Sequence, residues 1–207
     1  MTRFYNCTLV FVQHAQAASG SDDRTRILTI GGRRQAVALM ERLGGLRYDF
    51  VVISPTNRAR QTAGALAGDI ETTRIIEIQS MSGTLVPADH RDLLGMFGDL
   101  GYDRPLADYF SHRHNPALRR LSEQCVLDIR QDLGDAVAGR NLLFVGHPGL
   151  LSGLIYNMFD EGAIKTLALT HVLGECGAIR IDTDGQGEAV AEVVAQGRVE
   201  TVTAVVH

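Results

Sequence analysis

The chain is poor in three features that would narrow its class at once. It has only three cysteines, Cys7, Cys125 and Cys176, in 207 residues. They are odd in number, far apart and form no CxxC pair, so they suggest neither a disulfide framework nor a zinc site. Buried, reduced thiols in a cytoplasmic protein are the expectation. Long apolar runs are also missing: nothing approaches the roughly 18 consecutive apolar residues of a membrane span. The run near the N-terminus is too short for a secretory signal and passes directly into polar residues. Finally, there is no excess of positive charge. A net charge of -4 and a pI near 6.0 give no electrostatic case for nucleic acid or an anionic membrane.

What remains is ordinary globular composition, 45% hydrophobic and 21% charged, enough for a sizeable core and consistent with a single domain over residues 1–207. Internal repeats, linkers and low-complexity segments are not evident. Cys7–Val12 and Asn141–Val145 are continuous apolar runs, the pattern of strands buried on both faces. Asp49–Ile53 and Ile75–Ile78 read as further strands. Thr29 is a candidate cap for a helix carrying Ala36, Leu39, Met40 and Leu43 on one face and ending at Gly44-Gly45. A second helix follows Ser54-Pro55-Thr56-Asn57. Ser80–Arg91 reads as a loop, and Asp92–Pro116 as several short helical turns between glycines. A long helix starts at Asn115-Pro116 and runs to about Gly139; another covers Leu150 to about Phe159. Ala178–Ile181 and Ala189–Val194 flank Asp184-Gly185-Gln186-Gly187 as a hairpin, with a last edge strand over Thr201–Val206. Strands alternating with helices predict an α/β sandwich with a mainly parallel, mixed sheet.

Two strands end the same way. Val10-Phe11-Val12-Gln13-His14 and Leu143-Phe144-Val145-Gly146-His147 each run an apolar segment straight into a histidine. If these strands are parallel neighbours, both imidazoles stand at the carboxyl edge of the sheet, where ligands collect in open α/β folds. A third strand end supplies Arg58 in the first turn of the following helix, near free N–H groups and the positive end of the helix dipole. Two histidines, an arginine and a helix N-terminus make an anion site suited to a phosphoryl group. Arg60, by contrast, reads as part of a solvated helix face. His112 and His114 have an H-x-H spacing but lack a third and fourth ligand, so no metal site is expected.

In this order the segments FVQHAQ (11–16), LTIGGRRQA (28–36), SPTNRARQTA (54–63) and VGHPG (145–149) resemble the histidine phosphatase superfamily, in its phosphoglycerate mutase-like branch and among its small phosphohistidine phosphatase-like members. The resemblance implies a three-layer α/β/α sandwich. It implies a hydrolase, a metal-independent phosphatase without a cofactor, acting on a small-molecule phosphate ester or a phosphohistidine protein. His14 would be the nucleophile that becomes a phosphohistidine, and Arg58 and His147 would hold the phosphoryl oxygens. The resemblance places a carboxylate proton donor in the loop after the third strand, where Asp89 is the first candidate and Asp92 the next; either would equally serve as a first-turn helix acid.

One departure matters. The superfamily reads Arg-His-Gly at its nucleophile, and this chain reads Gln13-His14-Ala15. Gln13 would still donate a hydrogen bond to the substrate but brings no charge, a loss on the order of 10–100-fold in transition-state stabilisation. Arg24, Arg26, Arg60 and Arg91 are candidates to supply the missing cation. Two readings follow: a working phosphatase, or a catalytically impaired phosphate-binding or regulatory pseudoenzyme.

Overall fold

The computed structural model describes residues 4–20, 22–68, 73–82, 87–134, 137–159, 162–186, 188–195 and 198–202. A seven-stranded sheet is its centre, with strands β1 (Thr8–Gln13), β2 (Phe50–Ile53), β3 (Arg74–Glu77), β4 (Asn141–Gly146), β5 (Ala178–Thr183), β6 (Ala189–Ala195) and β7 (Arg198–Val202) in the order β3-β2-β4-β1-β5-β6-β7. The four strands from β3 to β1 are parallel, and β5, β6 and β7 follow by antiparallel pairing. The sheet is thus mixed, and its parallel half carries the two histidine strands as neighbours.

Both faces of β1 and β4 are covered, which is why these strands are continuously apolar. Leu9, Phe11, Leu142 and Phe144 face one core, where the Phe11 and Phe144 rings stack at 4.6 Å. That core is built with α3 (Pro87–Leu100), α4 (Leu106–Ser111), α5 (Asn115–Leu133), α6 (Pro148–Met158) and α7 (Ala163–Thr170). Val10, Val12, Leu143 and Val145 face the other core, shared with α1 (Ile30–Arg42) and α2 (Asn57–Ala67). The expected three-layer α/β/α sandwich is observed. Among the described residues no helix is long and apolar enough to cross a membrane.

The differences from expectation lie between β3 and β4. Of the expected loop Ser80–Arg91, the start is a 3-10 turn over Gln79–Ser82 and the end belongs to α3; residues 83–86 lie outside the described residues. Gly95 and Gly98 do not break α3 into short turns. A glycine costs a helix about 1 kcal/mol, and burying Leu93 and Met96 at helical spacing offsets it. The long helix α5 stops earlier than expected, because Gly134 takes a left-handed φ of 62° and its N–H donates to the Arg130 carbonyl. Helix α7 was not expected at all. The hairpin is present, although Gly187 is outside the described residues. The edge strand is Arg198–Val202, which starts upstream of the expected span and overlaps its first two residues; residues 203–206 of that span lie outside the described residues.

Helix α1 is tied to the chain just after the nucleophile strand. The Thr29 hydroxyl caps it by accepting from the Gly32 N–H at 2.9 Å, and the Thr29 N–H donates to the Gln16 carbonyl at 3.0 Å. A Cβ on Gly32 would stand 2.1 Å from that same carbonyl oxygen. We expect Gly32→Ala to destabilise the fold by about 1–3 kcal/mol through overpacking. Gly64, on the open face of α2 with nothing within 4 Å of its virtual Cβ, is the contrast: Gly64→Ala should stabilise by about 0.5–1 kcal/mol. Urea unfolding of the two variants checks both signs.

Candidate active site

Register builds the site. β1 and β4 pair so that Gln13 lies opposite Gly146, and the His14 N–H donates to the Gly146 carbonyl at 3.0 Å. His14 and His147 therefore leave adjacent strands side by side, their ring centroids 5.2 Å apart and their planes at 73°. On the far side of β4, β2 ends with Ile53 opposite Val145, and the Ser54 N–H donates to the Val145 carbonyl at 3.0 Å. This brings Ser54 and the start of α2 to the same edge.

The hydrogen bonds assign both imidazoles. His14 Nδ1 lies 2.9 Å from the Ala15 carbonyl, which can only accept. Nδ1 therefore carries the proton, and Nε2 keeps a lone pair. His147 Nδ1 lies 3.3 Å from Arg58 Nη2, and a guanidinium only donates. His147 Nε2–H then donates to the Ser54 hydroxyl at 3.2 Å. Burial is the main reason that both rings are held neutral. It takes His14 down to about 4, with the positive charges of Arg58 and Arg26 adding to it. It takes His147 to about 3, with His14 and Arg58 acting in the same direction.

Arg58 is 4% exposed. Its guanidinium holds Asp23 twice, donating to the backbone carbonyl and, from Nη2, to the carboxylate at 2.8 Å. Arg26 Nη1 reaches the other carboxylate oxygen at 3.1 Å and its Nε donates to Ala18. Asp23 is thus an internal anion between two guanidinium groups. Burial acts to raise its carboxyl, and the bonds and charges of Arg58, His147 and Arg26 outweigh that and hold it below the usual range. Among the described residues, Arg58 Nε and Thr56 Oγ1, both buried at the start of α2, have no hydrogen-bond partner. An oxyanion would supply the acceptor that such atoms lack.

Thr62 holds this arrangement from below. Its buried hydroxyl accepts from the Ala15 N–H at 3.0 Å and donates to the Arg58 carbonyl at 2.7 Å, joining the chain after the nucleophile to the helix that carries Arg58. Gln61 adds a second tie, accepting from the Leu28 N–H at 2.7 Å. Asp23, Ser54 and Thr62 had no role in the sequence reading. Thr62 and Ser54 were inside the quoted SPTNRARQTA block, which was their only signal. Asp23 stood in a polar loop with none.

Other expected residues have different partners. With its amide nitrogen turned toward acceptors, Gln13 donates to the carbonyls of Leu173 and Gly174, the latter at 3.0 Å. Both its N–H groups are thereby taken up by the chain rather than offered to a ligand. Asp89 lies in the first turn of α3 and pairs with Arg120 of α5; among the described residues it makes no hydrogen bond or ion pair with His14, Arg58 or His147. Asp92 pairs with His114 at 3.2 Å and Asp99 with His112 at 3.2 Å, and no group of three or more potential metal ligands occurs among the described residues. Arg60 donates from Nε and Nη2 to the two carboxylate oxygens of Glu77, as a surface residue would.

A family model of the histidine phosphatase superfamily (branch 1) matches residues 9–82. The resemblance read from the sequence is borne out. No curated protein matches the chain. Among solved structures, a protein from Agrobacterium tumefaciens provisionally named a phosphohistidine phosphatase, SixA, superposes with a TM-score of 0.54 at 17% identity, over 97% of this chain and 98% of its own. A phosphoserine phosphatase from Entamoeba histolytica, in complex with 3-phosphoglyceric acid, gives 0.53 at 17% identity over the same shares. The protein histidine phosphatase SixA complexed with tungstate gives 0.50 at 15% identity, over 96% of each chain. At these identities the similarity is one of fold. The superfamily match itself covers β1, α1, β2, α2, β3 and the 3-10 turn, and so includes His14 and Arg58 but not His147.

The neutral imidazoles make stability depend on pH. Each binds its proton more weakly in the folded chain than at the unfolded value of about 6.5, so the unfolded state holds more protons between roughly pH 3 and 6.5. Stability rises with pH across that window and is lost on acidification, by an amount on the order of a few kcal/mol for the pair. Urea unfolding at pH 7.5 and 4.5 in phosphate-free buffer should show a smaller loss for His147→Asn than for the unmodified chain. Equal losses would mean that His147 is not held neutral.

Proposed function

We propose that the chain is a metal-independent phosphatase, hydrolysing a phosphomonoester or a protein phosphohistidine through a phosphohistidine on His14. The observation that carries this reading is the state of His14. Its Nδ1 proton is engaged by the Ala15 carbonyl and burial keeps the ring neutral, so Nε2 has a free lone pair next to a buried arginine. A neutral imidazole at neutral pH is the nucleophilic form.

In the proposed reaction, a phosphoryl group displaces the Asp23 carboxylate from Arg58 and Arg26. His14 Nε2 attacks phosphorus, and the guanidinium of Arg58 neutralises the equatorial oxygens as charge moves onto them. His147, released from Arg58, lies beside a dianion and gains a proton readily, becoming a second cationic donor. Water then opens the phosphohistidine. Support also comes from the compared proteins, whose names specify phosphohistidine and phosphoserine phosphatases, one of them holding tungstate, an oxyanion shaped like phosphate.

Arg26 answers the departure at Gln13. Of the four candidate arginines, Arg60 is committed to Glu77, whereas the charge of Arg26 is felt at both imidazoles. We assign Arg26 as the second clamp. One observation favours the impaired alternative: the amide of Gln13 is spent on Leu173 and Gly174 and brings nothing to the phosphoryl group.

The test is hydrolysis of 4-nitrophenyl phosphate without added metal. The unmodified chain should turn over, His14→Ala should abolish turnover, and Arg26→Ala should lower kcat/KM about 10–100-fold, the worth of one charged hydrogen bond. A chain that is silent until Gln13→Arg is introduced would establish the pseudoenzyme reading instead.

A further inference from the structure

Resting on the phosphatase reading, we propose that Asp23 is the proton donor to the leaving group and the proton acceptor from the hydrolytic water. The residue expected in that role, Asp89, is tied to Arg120. Asp23 has the placement that Asp89 lacks. Its carboxylate lies 2.8 Å from Arg58 Nη2, the same nitrogen that stands 3.3 Å from His147 Nδ1. Both imidazoles feel its charge. Its side chain is 65% exposed, so it stands on the solvent side of the seat, the side from which a leaving group departs. The Ala17–Leu28 bridge closes the loop that carries it, and Arg58 holds the Asp23 backbone carbonyl as well, so the loop remains attached when the carboxylate moves.

The substrate itself arms the acid. In the free site two guanidinium groups, Arg58 and Arg26, keep the carboxylate ionised. A phosphoryl dianion that takes over those guanidinium groups removes the reason for ionisation and adds a like charge beside the carboxylate. Both changes favour its protonation. The charged groups facing Asp23 are Arg58, Arg26, His147 and His14, and the incoming dianion neutralises the two that are cationic. In the first step, His14 Nε2 forms a bond to phosphorus as the bond from phosphorus to the leaving oxygen breaks. The Asp23 proton passes to that oxygen, giving the alcohol and a carboxylate. In the second step, water forms a bond to phosphorus as the His14 Nε2–phosphorus bond breaks. The water proton returns to Asp23, and inorganic phosphate leaves a neutral His14. The proton that Asp23 takes from solvent as the dianion binds returns to solvent when inorganic phosphate leaves and the guanidinium groups pair with the carboxylate again, so atoms and charge balance over the cycle.

The experiment is a leaving-group series, kcat/KM for 2,4-dinitrophenyl, 4-nitrophenyl and phenyl phosphate, on the unmodified chain, Asp23→Asn, Asp23→Glu, Asp89→Asn and His14→Ala. General acid catalysis contributes about 10²–10⁴-fold where the leaving group needs a proton. Asp23→Asn should therefore lose at least about 100-fold on phenyl phosphate and far less on the dinitrophenyl ester, and Asp23→Glu should recover part of the loss. Asp23→Asn should also bind inorganic phosphate more tightly as a competitive inhibitor, because the internal competitor for the guanidinium groups has lost its charge. A loss equal for all three esters, a gain for all three, or a leaving-group-dependent loss in Asp89→Asn instead overturns the assignment. Turnover that survives His14→Ala, or is absent from the unmodified chain, sinks the phosphatase reading and this inference with it.

Discussion

The pairing of β1 with β4 is the constraint on which the site depends. Both strands are central, buried on both faces and parallel, and three of their six paired positions carry identical residues: Leu9 with Leu142, Phe11 with Phe144, Val12 with Val145. A slip of one residue would exchange the two faces of a strand, moving Phe11 or Phe144 from the larger core into the smaller one under α1 and α2. That penalty fixes the register. The register in turn sets His14 and His147 side by side, because each histidine is the residue beyond the last paired position. The geometry of the site is thus a consequence of core packing several residues away.

This explains what could be read from the sequence and what could not. His14, His147 and Arg58 were legible because each follows an apolar run whose burial determines where it ends. The condition on which the pair rested, parallel adjacency of the two strands, came from the structure. Asp23 was not legible. Its contact with Arg58 spans 35 residues and exists only because the loop folds back through the Ala17–Leu28 bridge, which no periodicity announces. Asp89 is the opposite case. It follows β3, where the resemblance looks for a carboxylate, but α3 begins there and pairs it with Arg120 of α5. The glycines of α3 misled as well, since local propensity is weak against the burial of Leu93 and Met96.

The burial of Arg58 also poses an electrostatic problem. A buried guanidinium without an anion is costly, by several kcal/mol even after relaxation, and the two histidines beside it are held neutral and give it no counter-charge. Asp23 supplies that charge from the surface, with its carboxylate 2.8 Å from Arg58 Nη2. The carboxylate is planar and singly charged, whereas a phosphoryl group presents three oxygens and up to two charges. With Asp23 in place, Arg58 Nε and Thr56 Oγ1 have no partner among the described residues.

The same accounting bears on Gln13. At 5% exposure, an arginine in its place would add a third positive charge beside Arg58 and Arg26, which already share one carboxylate. Until a dianion arrives, that charge would be unpaired and partly desolvated. A glutamine at this position is neutral, and its two N–H groups meet the Leu173 and Gly174 carbonyls, joining β1 to the segment that leads into β5. In the proposed reaction the second cation is Arg26, on a loop that is partly open to water. A charge held on a loop rather than at a buried strand end costs less desolvation, and in that reaction the hold on the phosphoryl group depends on how well residues 23–26 are ordered.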